Sequence, residues 1–433
     1  MKTLSIIILA AGKGERMKSL KPKVLHEVAN YPILFHVLSS IKKLNPKTVN
    51  LVISEELKKY QDEISFLFPE IKYSIQQEQK GTADAVKAVK KKDGDITLIL
   101  YADTPLIKAS TLKKLISEVK ANSKLSILSM IANNPKSYGR VLTLGNNKVI
   151  KIVEDVDASK NEKKIKLCNS GVMAVDTKLL NQNIIKVKNE NKKKEFYLTD
   201  LIELFNIQNL LVTHLQCEYE ETLGINDRDD LQKVEKFFQR NLKEKIKSNG
   251  VSLLDPNSIY LSYDTKIGKD SVIYPNVYFG PKVYVGDNVK IKSFSHLEGT
   301  YINKNCEIGP FARIRPNTNI EEDVKVGNFV EIKHSKIKKN TKLSHLSYIG
   351  DATIGKNTNI GAGSITCNFD GLKKHKTIIG DNCFIGSNTS LIAPIEVKKN
   401  SIVGAGTVVK RNIESNSTVF RRSELVNKKK GKV

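Results

Sequence analysis

Between residues 267 and 409 an aliphatic or aromatic residue recurs at every sixth position. The run reads Ile267, Ile273, Phe279, Val285, Ile291, then Ile302, Ile308, Ile314, Ile320, Val326, Ile332. After slips in phase it resumes at Ile337, Leu343, Ile349, at Ile354, Ile360, and at Ile379, Ile385, Leu391, Val397, Val403, Val409. Glycine follows many of these rungs, among them Gly268, Gly280, Gly286, Gly309, Gly327, Gly350, Gly355, Gly361, Gly380, Gly386 and Gly404. A period of six fits neither a helix, at about 3.6, nor a strand, at about 2. It is the signature of a hexapeptide-repeat parallel β-helix, in which each repeat forms one side of a triangular coil. One inward side chain per side fills the axis, and glycine is expected to turn the corners at φ values other residues resist. The C-terminal part is therefore expected to be an all-β, left-handed parallel β-helix.

The chain has 433 residues, 40% of them hydrophobic, which suits two or three globular domains. The apolar run at residues 4–11 is too short to span a membrane and reads as a buried strand rather than a signal peptide, so a cytoplasmic location is the default. Five cysteines, Cys168, Cys217, Cys306, Cys367 and Cys383, lack CxxC spacing. They read as buried, reduced thiols, with neither a disulfide framework nor a zinc site. The net charge of +25 raises nucleic acid as a partner. The lysines are spread along the whole chain without an aromatic-interleaved stripe, so lysine-rich solvated surface and anionic small substrates account for it better. Lys428, Lys429, Lys430 and Lys432 read as a disordered basic tail.

Ahead of the ladder, apolar strand patterns alternate with helical ones. Residues 2–9, 48–53, 71–75 and 96–100 read as strands, and residues 32–44 and 55–66 as helices. The first strand runs into Leu9-Ala10-Ala11-Gly12-Lys13-Gly14, with Arg16 and Lys23 close behind. Small residues after a strand let backbone N–H groups approach phosphate oxygens, and two cations stand nearby. The strand at 96–100 delivers Tyr101-Ala102-Asp103-Thr104-Pro105 at its carboxyl end, where α/β sheets bind ligands. A carboxylate there suits Mg²⁺ on triphosphate oxygens, although Asp103 before Pro105 also suits a helix cap. Residues 229–247 carry one apolar stripe and read as a connecting helix. The expected domains are residues 1–226, the linker helix 227–247, and residues 248–433.

The string Leu9, Ala10, Ala11, Gly12, Lys13, Gly14, Arg16, Met17, Pro22, Lys23 resembles the signature of sugar-phosphate nucleotidyltransferases. The resemblance implies a Rossmann-like α/β domain holding a nucleoside triphosphate, with Arg16 and Lys23 catalytic through charge neutralisation. It further implies that Gln76, Gly81 and Thr82 read the pyrimidine, beside Tyr101 and Ala102. Gly139, Glu154 and Asn169 would contact the hexosamine, and Asn226 would join Asp103 on the metal. The family's usual histidine after Gly-Thr is Asp84 here, and its usual Tyr-Gly-Asp is Tyr101-Ala102-Asp103.

Polar residues cluster in the middle coils: Arg315, Glu331, Lys333, His345 and Tyr348. The sequence from Asn359 to Gly371 then interrupts the period, and Lys374 follows. Residues one coil apart, about 18, stack at about 4.8 Å. Arg315 and Lys333 thereby form a two-cation phosphate site. Amine acetylation needs a base, which His345 suits, and an N–H donor for the oxyanion, which the glycine-rich turn at Ala362 suits. Across residues 4–422 the whole pattern resembles the bifunctional N-acetylglucosamine-1-phosphate uridyltransferase and glucosamine-1-phosphate acetyltransferase family. The resemblance implies that Arg315, Lys333, Tyr348, Asn359 and Lys374 hold the sugar phosphate. Ala362, Asn368, Phe369, Ser387, Ala405 and Arg422 would lie along acetyl-CoA. The family's Asn-Tyr is Asn368-Phe369 here, without the hydroxyl. UTP, acetyl-CoA and the two amino-sugar phosphates are the implied substrates, and a homotrimer the implied assembly. The alternatives are a monofunctional nucleotidyltransferase whose β-helix only assembles subunits, and a non-enzymatic binding subunit.

Overall fold

The computed structural model describes residues 3–121, 123–135, 137–145 and 147–422. The lysine cluster at 428–432 lies outside the described residues. Two compact units divide the chain, Met1–Phe238 and Gln239–Val433. The division falls inside the helix expected over 229–247, which runs Arg228–Ser248.

The first unit is built on a nine-stranded sheet. Ile71–Ile75, Thr48–Ile53, Leu4–Leu9 and Ile96–Tyr101 lie parallel in that order. The sheet continues through Leu167–Asp176, Leu125–Ile131, Val212–Cys217, Lys148–Val153 and Arg140–Leu144. Antiparallel pairings begin at Leu167–Asp176. Within Leu4–Leu9, residues 6–9 read as an unbroken apolar run because both faces of the strand are covered. Ile6 and Ile8 enter one core cluster, Ile7 and Leu9 the other. The helix expected over 55–66 is instead a 3-10 turn, Leu57–Tyr60, followed by a helix at Gln61–Leu67. Tyr60, at φ −103° and ψ 8°, ends the first segment.

The second unit is the left-handed β-helix, three parallel sheets of ten, eight and eight strands. All the rungs from Ile267 to Val409 are buried in one cluster. Two further positions serve as rungs. Leu297 is fully buried between Ile291 and Ile302, and the buried Thr366 stands between Ile360 and Ile379.

Glycine's place in the coil differs from the expectation. Of the glycines that follow rungs, Gly309 alone has a positive φ, at 90°. The left-handed corners fall three residues after the rungs, and asparagine takes many of them: Asn276, Asn288, Asn305, Asn317, Asn340, Asn357, Asn382 and Asn400 have φ of 55–61°. Asparagine tolerates this region because its short amide bonds locally. Here the amides also bond one another along the axis, from Asn340 to Asn357, Asn382, Asn400 and Asn416, at 2.9–3.1 Å. The glycines are needed for close approach between coils. A Cβ on Gly327 would lie 1.8 Å from the Ser344 carbonyl oxygen, and one on Gly355 would lie 2.2 Å from the Gly380 backbone. Gly327→Ala is therefore expected to destabilise the β-helix by about 2 kcal/mol or more, read from chemical denaturation followed by circular dichroism.

Candidate active sites

In the first unit a cavity of about 260 Å³ opens at the carboxyl ends of Leu4–Leu9 and Ile96–Tyr101. It is lined by Leu9, Ala10, Ala11, Gly12, Lys23, Gln76, Gly81, Thr82, Tyr101, Ala102 and Asp103. Sequence reasoning did not select three further lining residues, Val24, Gln79 and Ala85. Gln79 had a signal within the Gln-rich string before Gly81. Its side chain donates to the Ala11 carbonyl at 2.8 Å and fastens that string to the small-residue loop.

The cations sit on the oxygen donors. Lys23 Nζ is 2.5 Å from Asp103 Oδ2, both side chains largely buried. Arg16 donates to Asn226 Oδ1 at 2.9 Å. Asn226 does not line the cavity, but its neighbour Ile225 donates its N–H to the Asp103 carbonyl at 3.0 Å, which brings the 224–226 segment against Asp103. Asp103 and Asn226 supply two hard oxygens, the donor type that a divalent cation uses beside substrate phosphates and water. This donor set fits such an ion.

Gly139, Glu154 and Asn169 lie outside that cavity and are linked to each other. Asn169 N–H donates to the Gly139 carbonyl at 2.8 Å, and Asn169 Oδ1 accepts from Gly171 N–H at 3.0 Å. A Cβ on Gly139 would lie 3.3 Å from a Glu154 carboxyl oxygen. One on Gly171 would lie 1.9 Å from the Tyr101 ring, so glycine is what lets the tyrosine lie across this strand. Burial, with Glu154 nearby, raises the Tyr101 phenol above its ordinary range. Burial likewise raises Glu154, against the hydroxyl of Thr199 at 3.3 Å.

Glu154 also borders a hollow of about 500 Å³ that holds Tyr197 and Asp200. Burial, then Glu203, pushes Asp200 up to about 6 from 3.8. With the folded value above the unfolded one, the neutral acid favours the fold. Stability is therefore lost as pH rises through this window and stays lower above it. Asp200→Asn is expected to stabilise this unit by about 1 kcal/mol at pH 7, with the gain disappearing below about pH 4 in paired thermal melts.

In the β-helix two groups form. The first gathers cations on one sheet. The pairing Ile314↔Ile332 sets Arg315 and Lys333 on adjacent coils. Lys374 arrives from the excursion at 368–375, and its ammonium, followed by the charge of Arg315, lowers the Lys333 pKa. Glu331 steadies Arg315 at 2.8 Å. Tyr348 Oη and Asn368 Nδ2 lie over Gly350, where a Cβ would meet them at 2.5 and 2.7 Å. Asn368 is fixed by Asp351 at 2.5 Å. Burial pushes Asp351 up, but bonds from His334 and Asn368 and the charges of His334 and Lys374 outweigh it and leave the carboxyl lowered.

The second group is a column. Two residues past the paired rungs Val326, Leu343, Ile360, Ile385 and Val403 stand Asn328, His345, Ala362, Ser387 and Ala405. The same count past Val419 reaches Arg421, beside Arg422. His345 Nδ1 is 2.6 Å from Asn328 Oδ1. With the amide oxygen as acceptor, Nδ1 carries the proton and Nε2 presents a lone pair. Asn328 and Arg421 were not selected from sequence; they stand 17 residues from His345 and 16 from Ala405, so a count of 18 misses both and the rung pairings are needed to reach them. Asn359 is not with the cations. It lies in the sheet of His345, paired with Lys342 and Phe384. Phe369 is 60% exposed and bridges Lys374 across the excursion.

The five cysteines are free, Cys168, Cys306 and Cys383 buried and Cys217 and Cys367 half-buried. Among the described residues no helix is long and apolar enough to cross a membrane.

The sequence matches the MobA-like NTP transferase domain over residues 6–165, the bacterial transferase hexapeptide over 264–299, and the GMPPB C-terminal domain over 297–420. It is 40% identical to the bifunctional protein GlmU of Paramagnetospirillum magneticum, over 97% of this chain and 93% of that protein. It is 40% identical to the protein of that name from Wolbachia pipientis, over 99% of each chain. Against the Thermosipho africanus protein of the same name the figure is 41%, over 98% and 96%. With a nucleotidyltransferase half and a hexapeptide transferase half both aligned to these relatives, the chain belongs to the GlmU family of bifunctional enzymes.

Proposed function

We propose that the β-helix acetylates the amine of glucosamine 1-phosphate with acetyl-CoA, and that the N-terminal cavity then couples the product to UTP. The end-to-end likeness to bifunctional relatives carries this reading, since it spans both candidate sites at once. A scaffold-only β-helix is disfavoured by the three-cation group, whose like charges repel one another, and by the His345–Asn328 pair.

For acetylation, Arg315, Lys333 and Lys374 hold the sugar phosphate, helped by Tyr348 on the same sheet, while Asn359, on the sheet of His345, meets the sugar from that side. Like charges so close repel, and a phosphate dianion relieves that repulsion. His345 Nε2 takes the proton from the attacking amine as nitrogen bonds to the thioester carbonyl carbon, and the CoA thiolate leaves. The column from Ala362 through Ser387 and Ala405 to Arg422, with Asn368 and Phe369 alongside, makes a narrow strip of small residues for the pantetheine arm. The cation group and His345 lie on different parts of the coil surface. A homotrimer, in which one subunit's column faces another's cation group, completes such a site.

For uridylyl transfer, the phosphate oxygen of N-acetylglucosamine 1-phosphate attacks the α-phosphorus of UTP, and the bond to the β-phosphate breaks, releasing pyrophosphate. The Leu9–Gly12 loop positions the phosphates, and Gln76, Gly81 and Thr82 the base. Gly139, Glu154 and Asn169 hold the sugar. Lys23 and Arg16 neutralise charge that develops on the phosphates. Asp103 and Asn226 would hold Mg²⁺, which when bound shields the triphosphate charge.

Asp103→Ala is expected to lower uridylyl transfer at least about a hundredfold and spare acetylation, and His345→Ala to do the reverse. Separate coupled assays of pyrophosphate and of free thiol check this, and a folded variant lacking both activities would defeat the two-site reading. Chelation with EDTA should abolish pyrophosphate release and leave thiol release unchanged, with Mg²⁺ restoring the former.

A further inference from the structure

We propose that Asp84 sets the base selectivity of the nucleotide cavity by deciding which atom of Gln76 faces the base. This rests on the uridylyl-transfer reading of that cavity. Gln76 lines the cavity and is 6% exposed. Its Nε2 donates twice, to Asp84 Oδ2 at 2.8 Å and to the Gly81 carbonyl at 3.0 Å. A carboxylate and a carbonyl are both acceptors, so only the nitrogen end of the amide can face them, and the orientation has a single assignment. Both amide hydrogens are consumed. Gln76 retains Oε1, a pure acceptor, for the ligand.

That remainder discriminates between pyrimidines. Uracil carries a hydrogen on N3 and donates to an acceptor. Cytosine carries a lone pair on N3, so the same approach sets two acceptors against each other with little water to separate them. The lock is stiff. Asp84 Oδ2 also accepts from Lys80 N–H at 3.3 Å. Gly81, at φ 117°, is pressed against Phe196, where a Cβ would come within 2.6 Å of the carbonyl oxygen. Asp84 touches neither triphosphate nor sugar in this scheme. It is a positioning residue acting through Gln76.

The test compares UTP with CTP on the full-length protein, with Mg²⁺ and N-acetylglucosamine 1-phosphate, for the wild type and Asp84→Ala. Both kcat/KM and dissociation constants are measured, and acetylation by the same preparations serves as the folding control. The wild type is expected to favour UTP about a hundredfold or more. In Asp84→Ala only the Gly81 carbonyl still holds the Gln76 amide, so the turned-over amide that presents N–H becomes populated and the ratio should fall about tenfold, with a gain for CTP. A purely structural lesion would lower both nucleotides together. If the wild type turns over UTP and Asp84→Ala keeps the full ratio, the proposal is overturned. A wild type that uses CTP as readily as UTP overturns it too. Should Asp84→Ala lose turnover, the ratio of dissociation constants makes the same decision. A wild type that does not use UTP at all defeats the uridylyl-transfer reading instead.

Discussion

Parallel backbone pairing between successive coils is the constraint on which the β-helix depends. Ile314 pairs with Ile332, Leu343 with Ile360 and Ile385 with Val403, and once these pairings are set every other position on the coil is set with them. A side chain two residues past one rung must stand over the side chain two residues past the next. The column from Asn328 to Ala405 is therefore a product of register alone, and so is the adjacency of Arg315 and Lys333. The apolar axis fixes that register, because slipping one residue would turn Ile332 outward and Lys333 inward.

Such regularity builds columns but limits reach, since outward side chains on a coil stand in straight files. The excursion at 368–375 lifts that limit. Ile365 pairs with Ser390 across an interval lengthened by the extra residues, and the excess folds back on itself. His375 N–H donates to the Asn368 carbonyl at 2.8 Å, and Asp370 binds His375 at 2.6 Å. The small hairpin carries Lys374 over to Lys333 and holds Phe369 outward. The N-terminal unit solves its own problem differently. A parallel sheet leaves its carboxyl ends open, and the loops after Leu9 and Tyr101 meet there with cations and oxygen donors already matched, Lys23 to Asp103 and Arg16 to Asn226.

Much of this was legible in the sequence, and the misses share one cause. Six-residue periodicity identified the coil and its rungs because inward packing acts on each residue's own chemistry. The role of the intervening glycines was misread because it depends on the neighbouring coil: Gly327 has no corner to turn, but it has the Ser344 carbonyl beside it. Leu297 keeps the period six past Ile291, but the next side, to Ile302, is one residue short, so the run appears to break there. Asp84 reads in the sequence as a simple departure from the family's pattern, because its bond to Gln76 joins the helix Thr82–Lys87 back to the end of the preceding strand.

The sequence by itself determined the two architectures and the types of residue available to each site. Burial patterns and glycine-rich turns act locally and leave their period in the chain. Tertiary structure decided which of those residues meet. It set Lys374 against Lys333 across 41 positions (374 less 333), separated Asn359 from the cations that share its inferred task, and turned the Gln76 amide so that its nitrogen faces Asp84 and the Gly81 carbonyl. Contacts of this kind are fixed by register, by loop path and by the counting of donors against acceptors. None of these is a property of a single residue.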